Sequence, residues 1–308
     1  MTCRTWPDLS ASDALFAEEL ERRGCTVHAL PWNDAPLDDF AAADVIVMRS
    51  NWDYHHEIVR FRDWLEAIDS FDCIVHNPVD LVRSTLDKGS YLARLADAGI
   101  RVALTLPVQL IDDDPETPGD TPSVTISEPG AIAAWADDHG LDRLVLKPAY
   151  GASGHEVDLV TRAELEPACR HRATQPGARP FLVQEFLPQI ADGELSVVFF
   201  AGRFSHAYRR TPAATDFRVN GGHGGTTSAE AGPPAEVIGF AAEVLASLPT
   251  TLTFARIDVV GGGAGAAPED VDELVLMELE INEPALGLHL ALGSASTFAD
   301  AVLAAPQT

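Results

Sequence analysis

TFARIDVVGGGAGAAPEDVDELVLMELEINEP, residues 253–284, reads as two strands and the loop that joins them. Side chains alternate along a strand, so Arg256 and Asp258 share one face, and Glu278, Glu280 and Asn282 share one face of the second strand. The joining loop suits an antiparallel pair, which is expected to bring Asp258 beside Glu280. Carboxylates that close repel unless a cation lies between them. Oxygen ligands with an amide oxygen suit Mg²⁺ that also holds substrate phosphates. The plain alternative is an acidic strand face in water, but Leu276, Met277, Leu279 and Ile281 argue against exposure on both sides. GGGAG (261–265) follows a strand, yet acidic residues and another strand come next. A dinucleotide fingerprint needs strand, loop and helix, so this run reads as a hairpin loop.

Working outward, the chain holds only two lysines, Lys88 in RSTLDKGSY and Lys147 in LVLKPAYGASG, against 19 arginines. Lysine is a compact point charge that contacts one phosphate oxygen without the planar geometry of a guanidinium fork. Lys147 ends a strand and leads into Gly151, Ser153 and Gly154. Small residues there let the backbone approach phosphates. The order is the reverse of the P-loop, which puts lysine after its glycines.

Elsewhere the pattern alternates strands and helices. SDALFAEELERRG (12–24) is an amphipathic helix, followed by CTVHAL (25–30) and DVIVMRS (44–50) as strands. HEIVRFRDWLEAID is a helix and CIVHNP (73–78) a third strand, which implies a parallel sheet with helices on its faces. Only MTCRT precedes the first helix, so that strand is stunted. A helix is expected over 85–98, a variable loop over 111–130, and strand–glycine loop–strand over 141–160. FLVQEFLP (181–188) is a short buried strand that bends at Pro188. ELSVVFFAGRFSHAYRRT (194–211) is a hairpin turning at Ala201-Gly202. A helix is expected over 234–247.

Two further motifs carry chemistry. RSNWDY (49–54) begins at the C-terminal end of a buried parallel strand, where open α/β sheets bind ligands. Arg49 there suits a substrate carboxylate, with Ser50 beside it and Trp52 or Tyr54 as a wall. A structural turn with Trp52 in the core is the equal alternative. DFRVNGGHGG (216–225) is a glycine-rich segment in which Arg218, with Asn220 and Gly221 beyond it, suits closure over a transferring phosphoryl group.

The net charge of −26 excludes nonspecific nucleic-acid binding, which needs a basic footprint, and anionic membrane surfaces. No stretch reaches the ~18 apolar residues of a membrane span, and MTCRTWPDLS has no apolar run. Cys3, Cys25, Cys73 and Cys169 are scattered without a C-x-x-C pair and read as reduced thiols of a cytoplasmic protein. No G-x-S-x-G, H-E-x-x-H or cysteine nucleophile with its base is present.

Together these motifs resemble the ATP-grasp superfamily, the glutathione-synthetase-like ligases, over nearly the whole chain. RSNWDY, GELSVVFFAGRFSHAYRRTP, DFRVNGGHGG and ELEINEP are most similar to the branch that contains cycloserine-forming cyclo-ligases. The resemblance implies a mixed α/β and α+β fold. It has a Rossmann-like N-terminal substrate-binding subdomain over 1–84, a central ATP-grasp subdomain over 85–188 and a C-terminal one with the Mg²⁺ site over 189–308. In that family ATP lies between two α+β subdomains. The resemblance assigns Lys88 and Lys147 to the phosphates, under a loop of Gly151, Ser153 and Gly154. Gln184, Glu185, Phe186 and Leu187 form the adenine-binding hinge strand, and Glu194 holds the ribose. Arg218 and Arg256 stabilise an acyl phosphate. Asp258, Glu280 and Asn282 bind Mg²⁺, with Glu278 or Glu283 sharing it.

The implied activity is an ATP-dependent carboxylate–amine ligase using two Mg²⁺ ions, with Mn²⁺ as a substitute, on a small amino-acid-like carboxylate and an amine. The rival enzyme is an intramolecular cyclo-ligase. The rival of another class is a nucleotide-binding module without turnover. Neither nucleic acid nor membrane is an expected partner, and a homodimer or homotetramer is compatible with the reading.

Overall fold

The structure, a computed structural model, describes residues 1–110, 124–125, 129–261 and 274–304. The described chain divides into two compact units, Met1–Arg83 with Gln189–Thr308, and Ser84–Pro188. None of the described helices is long and apolar enough to cross a membrane.

The first unit opens with α1 (Ala11–Arg22), capped by the Ser10 hydroxyl on the Asp13 N–H, then α2 (Leu37–Ala41), β1 (Val45–Val47), α3 (Ile58–Asp69), β2 (Ile74–His76) and α4 (Val79–Thr85). β1 and β2 pair in parallel, as the alternation predicts. CTVHAL forms no strand. Its end meets the N-terminal stub in a single bridge, Thr2 to Pro31, with Thr2 N donating to Leu30 O (2.9 Å) and Trp32 N to Thr2 O (3.0 Å). β1 is also shorter than DVIVMRS and stops before Arg49.

The second unit contains α5 (Lys88–Asp97), β3 (Thr105–Gln109), β4 (Val124–Thr125), α6 (Pro129–Asp138), β5 (Arg143–Pro148), β6 (Asp158–Thr161), α7 (Leu165–Ala173) and β7 (Phe181–Glu185). Its sheet runs β4-β3-β7-β5-β6. Leu106, Val108, Leu144, Leu146, Phe181 and Val183 pack one sheet face against Ile132 and Ala136 of α6 and Leu165 and Cys169 of α7. The helix expected over 85–98 begins at Lys88. Asp87 caps it by accepting the Ser90 N–H (3.0 Å), an aspartate preference that breaks α5 from α4. The loop expected over 111–130 lies largely outside the described residues.

The chain then returns to the first unit with β8 (Glu194–Phe200), β9 (Arg203–Thr211), β10 (Thr226–Glu230), α8 (Ala235–Ala246), β11 (Phe254–Val260), β12 (Val275–Glu280) and α9 (Ser294–Ala304). The sheet order is β10-β9-β8-β11-β12. Ala201 (φ 48°) and Gly202 (φ 72°) form the two-residue turn between β8 and β9, whose left-handed backbone matches the twist of the strands. One face buries Val198, Phe200, Tyr208 and Phe254 against Phe16 of α1 and Phe298 of α9. That apolar packing covers one end of the face and leaves the other end to polar residues.

Candidate active site

The polar end of this face is built by register. Glu194 and Ser196 of β8 lie opposite Arg210 and Tyr208 of β9. Ser196 also lies opposite Asp258 of β11, whose neighbour across β12 is Glu278. Glu280 lies opposite Arg256. This corrects the expected pairing of Asp258 with Glu280. A bulge at Asp258/Val259 inserts one extra residue on β12 and shifts every later pair by one. The acidic cluster still forms: oxygens of Asp258, Glu278 and Glu280 lie within 4.8 Å of one another.

Asp258 is fully buried and accepts from four donors. Its Oδ1 takes the Ser196 hydroxyl (2.7 Å) and Arg256 Nε (2.9 Å), and its Oδ2 takes Arg210 Nη2 (2.6 Å) and Arg256 Nη2 (2.8 Å). Arg256 Nη2 also reaches Glu280 Oε1 at 2.7 Å. Arg210 Nη2 binds Glu194 as well. Burial pushes the Glu194 carboxyl up, Arg210 opposes this, and Asp258 and Glu278 add to it, leaving it at about 8. Glu194, expected at a ribose, is thus a buried member of the arginine–carboxylate cluster. Clustered hard oxygens facing one patch are the donor set that Mg²⁺ or Mn²⁺ takes. Asn282 lies beyond Glu280, and its Oδ1 accepts Asn51 Nδ2 at 2.9 Å.

Arg49 does not meet solvent. It is 3% exposed, pairs with Asp13 through Nε (2.9 Å) and donates from Nη2 to Pro284 O (2.8 Å). Ser50 Oγ donates to the same Asp13 (2.8 Å). Burial pushes the Asp13 carboxyl up, but the Arg49 charge and the hydroxyls of Ser10 and Ser50 outweigh it and hold it below the usual range. The carboxylate that Arg49 was expected to take from a substrate is therefore supplied by the chain itself. Tyr54 is a core residue, 4% exposed. Trp52 is half-buried, edge-on to Trp6, with its Nε1 on Glu283 O (3.0 Å).

Arg218 forks onto Asp216, Nε to Oδ1 at 3.0 Å and Nη2 to Oδ2 at 2.8 Å. Its loop closes tightly, because Asn220 O accepts both the His223 and Gly225 N–H groups. A Cβ at Gly225 would lie 2.2 Å from Val219 O, so only glycine fits there. Asn220 is half-buried and Gly221 exposed.

In the second unit the sheet face opposite the helices gathers the expected nucleotide residues. Lys147 lies opposite Leu182, and Gln184 lies between Val145 and Thr105. α5 starts on this face: a Cβ on Gly89 would meet Leu182 at 3.0 Å and Pro107 at 3.2 Å, and Lys88 N donates to Ala149 O (3.0 Å). The two lysines are thereby tied together through backbone two residues from Lys147. Lys147 is 7% exposed. Beyond it, Gly151 is buried, and Ser153, Gly154 and Glu156 have left-handed φ of 57°, 70° and 55°, a tight turn after the strand. Along β7, Gln184 donates to Thr105 Oγ1 (2.8 Å). The N–H groups of Glu185 and Phe186 are engaged by Leu104 and Arg143 carbonyls, Phe186 lies under the Arg143 guanidinium, and Leu187 is buried.

Sequence reading missed Arg210 and Ser196, which bond Asp258, and Asn51, which bonds Asn282. Arg210 carried a signal, since His206, Tyr208 and Arg210 alternate along β9, but an unbulged hairpin puts Arg209 opposite Glu194. A shift at Val198/Phe199 selects Arg210 instead.

Lysines beside a glycine turn in one sheet, and paired carboxylates and arginines in another, sit on a fold that solved ATP-grasp structures share. The family model "Prokaryotic glutathione synthetase, ATP-grasp domain" matches residues 118–264, and "D-cycloserine synthetase DcsG, N-terminal domain" matches residues 1–77. Glutathione synthetase of Rhodopseudomonas palustris is 25% identical over 230 residues, 73% of this chain and 64% of that protein. The Synechocystis sp. glutathione synthetase is 30% identical over 152 residues, 46% of this chain and 44% of that protein. The chain spans between 41% and 64% of the length of these and a third such relative, from Bradyrhizobium diazoefficiens. The crystal structure of D-cycloserine synthetase DcsG superposes with a TM-score of 0.75 at 24% identity, covering 94% of this chain and 92% of that one. A RimK domain ATP-grasp protein from Sphaerobacter thermophilus superposes with a TM-score of 0.67 at 20% identity, covering 96% and 97%.

Proposed function

We propose that this protein is an ATP-dependent ligase that activates the carboxylate of a small amino-acid-like substrate as an acyl phosphate and passes it to an amine, releasing ADP and phosphate. The observation that carries the reading is the cluster of buried Asp258 and half-buried Glu278 and Glu280 beside Arg256 and Arg210. Burying charge is costly unless every partner is in place, so a fully buried Asp258 held by Ser196, Arg210 and Arg256 is weak as a folding device and better accounted for by a ligand role. Asp258 and Glu280, with Asn282 or Glu278, would hold Mg²⁺ or Mn²⁺. When bound, the metal neutralises phosphate charge and orients the transferring phosphoryl group. Lys88 and Lys147 bind phosphate oxygens, and the left-handed turn from Ser153 to Glu156 supplies amide groups. Arg256 and Arg218 supply positive charge toward an acyl phosphate. Nothing in this set is a dedicated proton acceptor, so catalysis rests on positioning and charge neutralisation.

A second reading, intramolecular cyclisation, is favoured by the match of residues 1–77 to the D-cycloserine synthetase N-terminal domain. One experiment separates the three possibilities. ATP, Mg²⁺ and pooled amino acids are incubated with the protein, ADP is quantified and products are read by mass spectrometry. A ligase releases ADP only when two substrates are supplied, and the product mass is their sum less water. A cyclo-ligase needs one substrate. Nucleotide binding without ADP release in any pool would identify a non-catalytic nucleotide-binding module.

A further inference from the structure

The segment that follows β12 is held almost entirely by side chains. Ile281 O accepts Asn77 Nδ2 (2.8 Å), Glu283 O accepts Trp52 Nε1 (3.0 Å) and Pro284 O accepts Arg49 Nη2 (2.8 Å). Ala285 O accepts Arg256 Nη1 (3.2 Å), and Leu286 O meets His206 Nε2 (2.8 Å). Loop carbonyls are ordinarily satisfied by backbone or water. Here three of the five are taken by residues of the N-terminal stretch, far away in sequence. Asn77 is fully buried and spends its whole amide on this task. Nδ2 donates to Phe254 O and Ile281 O, and Oδ1 accepts from Thr253 N (2.9 Å) and Phe254 N (3.3 Å), which ties the start of β11 to the end of β12.

The side chain of Asn282 is held the same way, by Asn51 Nδ2 on its Oδ1. Both asparagines are buried, yet Asn51 Oδ1 and Asn282 Nδ2 have no hydrogen-bond partner among the described residues. A half-satisfied buried amide pair costs stability, and an apolar pair of the same shape would not. Its retention needs a reason other than folding. The bond supplies one. A carbonyl oxygen has two lone pairs, so Oδ1 can accept from Asn51 and still ligate a cation. The Asn51 donor decides which end of the Asn282 amide is oxygen at that point, the way outer groups orient metal ligands.

We propose that Asn51, with Trp52 and Asn77, is a positioning residue that holds Asn282 and Glu283 toward the metal cluster, and that RSNW (49–52) serves this purpose rather than substrate contact. The inference rests on the reading of Asp258, Glu280 and Asn282 as a ligand set.

The test titrates Mn²⁺ into the full chain with a non-hydrolysable ATP analogue and follows free Mn²⁺ by electron paramagnetic resonance, so that no turnover is needed. Asn51→Asp presents only acceptors, turns the Asn282 nitrogen toward itself and points its oxygen away. Mn²⁺ affinity should fall about 10- to 100-fold, as for other outer-shell partners. Asn51→Ala merely frees the amide and should fall less. Asn282→Asp keeps an acceptor facing Asn51 and should bind Mn²⁺ within about threefold of the native chain, whereas Asn51→Asp in that background sets carboxylate against carboxylate and loses the binding again. Trp52→Phe keeps the ring, drops the N–H and should weaken Mn²⁺ measurably, which keeps the test open if Asn51→Asp does not fold. Mn²⁺ affinity unchanged in Asn51→Asp or, where that variant is unfolded, in Trp52→Phe overturns the positioning role while leaving the ligand set standing. A native chain that binds no Mn²⁺ overturns the ligand set and this inference with it.

Discussion

Glu194 sits in an environment far from what its sequence position suggests. Burial, opposed by Arg210 and reinforced by Asp258 and Glu278, carries its carboxyl from an ordinary 4.5 to about 8. Between those values the folded chain keeps a proton that the unfolded chain releases, so this group contributes stability that is full below pH 4.5 and lost as pH rises toward 8. Glu194→Gln removes that slope. The melting temperature of the metal-free variant should match the native one near pH 5 and exceed it by several degrees near pH 8, as differential scanning fluorimetry across pH would read. A constant difference at all pH values would mean that Glu194 ionises normally. The lysines make the second residue-scale prediction. Lys88→Met and Lys147→Met should each weaken ATP binding by about 10- to 100-fold in calorimetry, the worth of a hydrogen bond to a charged group. Lys147→Arg should also impair binding, because a planar fork does not fit where a point charge does. Unaltered binding in both methionine variants would remove the nucleotide assignment.

At the scale of elements, two one-residue shifts build the cluster. Opposed residues of an antiparallel pair share a face, so without the shift at Asp258/Val259 that face would hold Met277 and Leu279 beside Asp258. With it, Glu278 and Glu280 arrive there. Glu280→Gln should leave the metal-free protein folded or slightly more stable, since it relieves repulsion. It should also abolish most of the rise in melting temperature that Mg²⁺ and nucleotide give the native chain. A metal-free Glu280→Gln that unfolds would make the carboxylate structural. The turn after the clamped segment is the other sensitive element. Gly287 has φ 61°, and a Cβ there would lie 2.8 Å from the Tyr208 ring, whose hydroxyl holds Ala285 O. Gly287→Ala should cost about 1–3 kcal/mol for the backbone alone, read as a lower midpoint in urea. An unchanged midpoint would show that the turn can relax.

For the whole molecule the dominant quantity is the net charge of −26. Self-repulsion of that size destabilises a compact state and is screened as the Debye length shortens. The melting temperature should therefore rise from 20 mM to 0.5 M NaCl, against the small loss from weakened surface pairs such as Arg162–Asp137. A fall with salt would mean that surface ion pairs outweigh the net repulsion.

Periodicity alone was enough to read β8 and β9 as a hairpin turning at Ala201-Gly202, β11 and β12 as an antiparallel pair, and Lys147 as the end of a strand leading into a glycine turn. Those features are local: they depend on alternation, on turn residues and on the two lysines that an arginine-rich chain retained. CTVHAL was misread because a strand needs a partner, and among the described residues only its end is met, by the bridge of Thr2 to Pro31. Arg49 was misread because its carboxylate, Asp13, is 36 residues away on a helix that sequence places nowhere near it. Bulges, which set the partners of Asp258 and Glu194, leave no mark in alternation, since one extra residue is visible only against the opposite strand. The clamp on residues 281–286 joins side chains up to 235 positions distant, and only the packed chain brings them together.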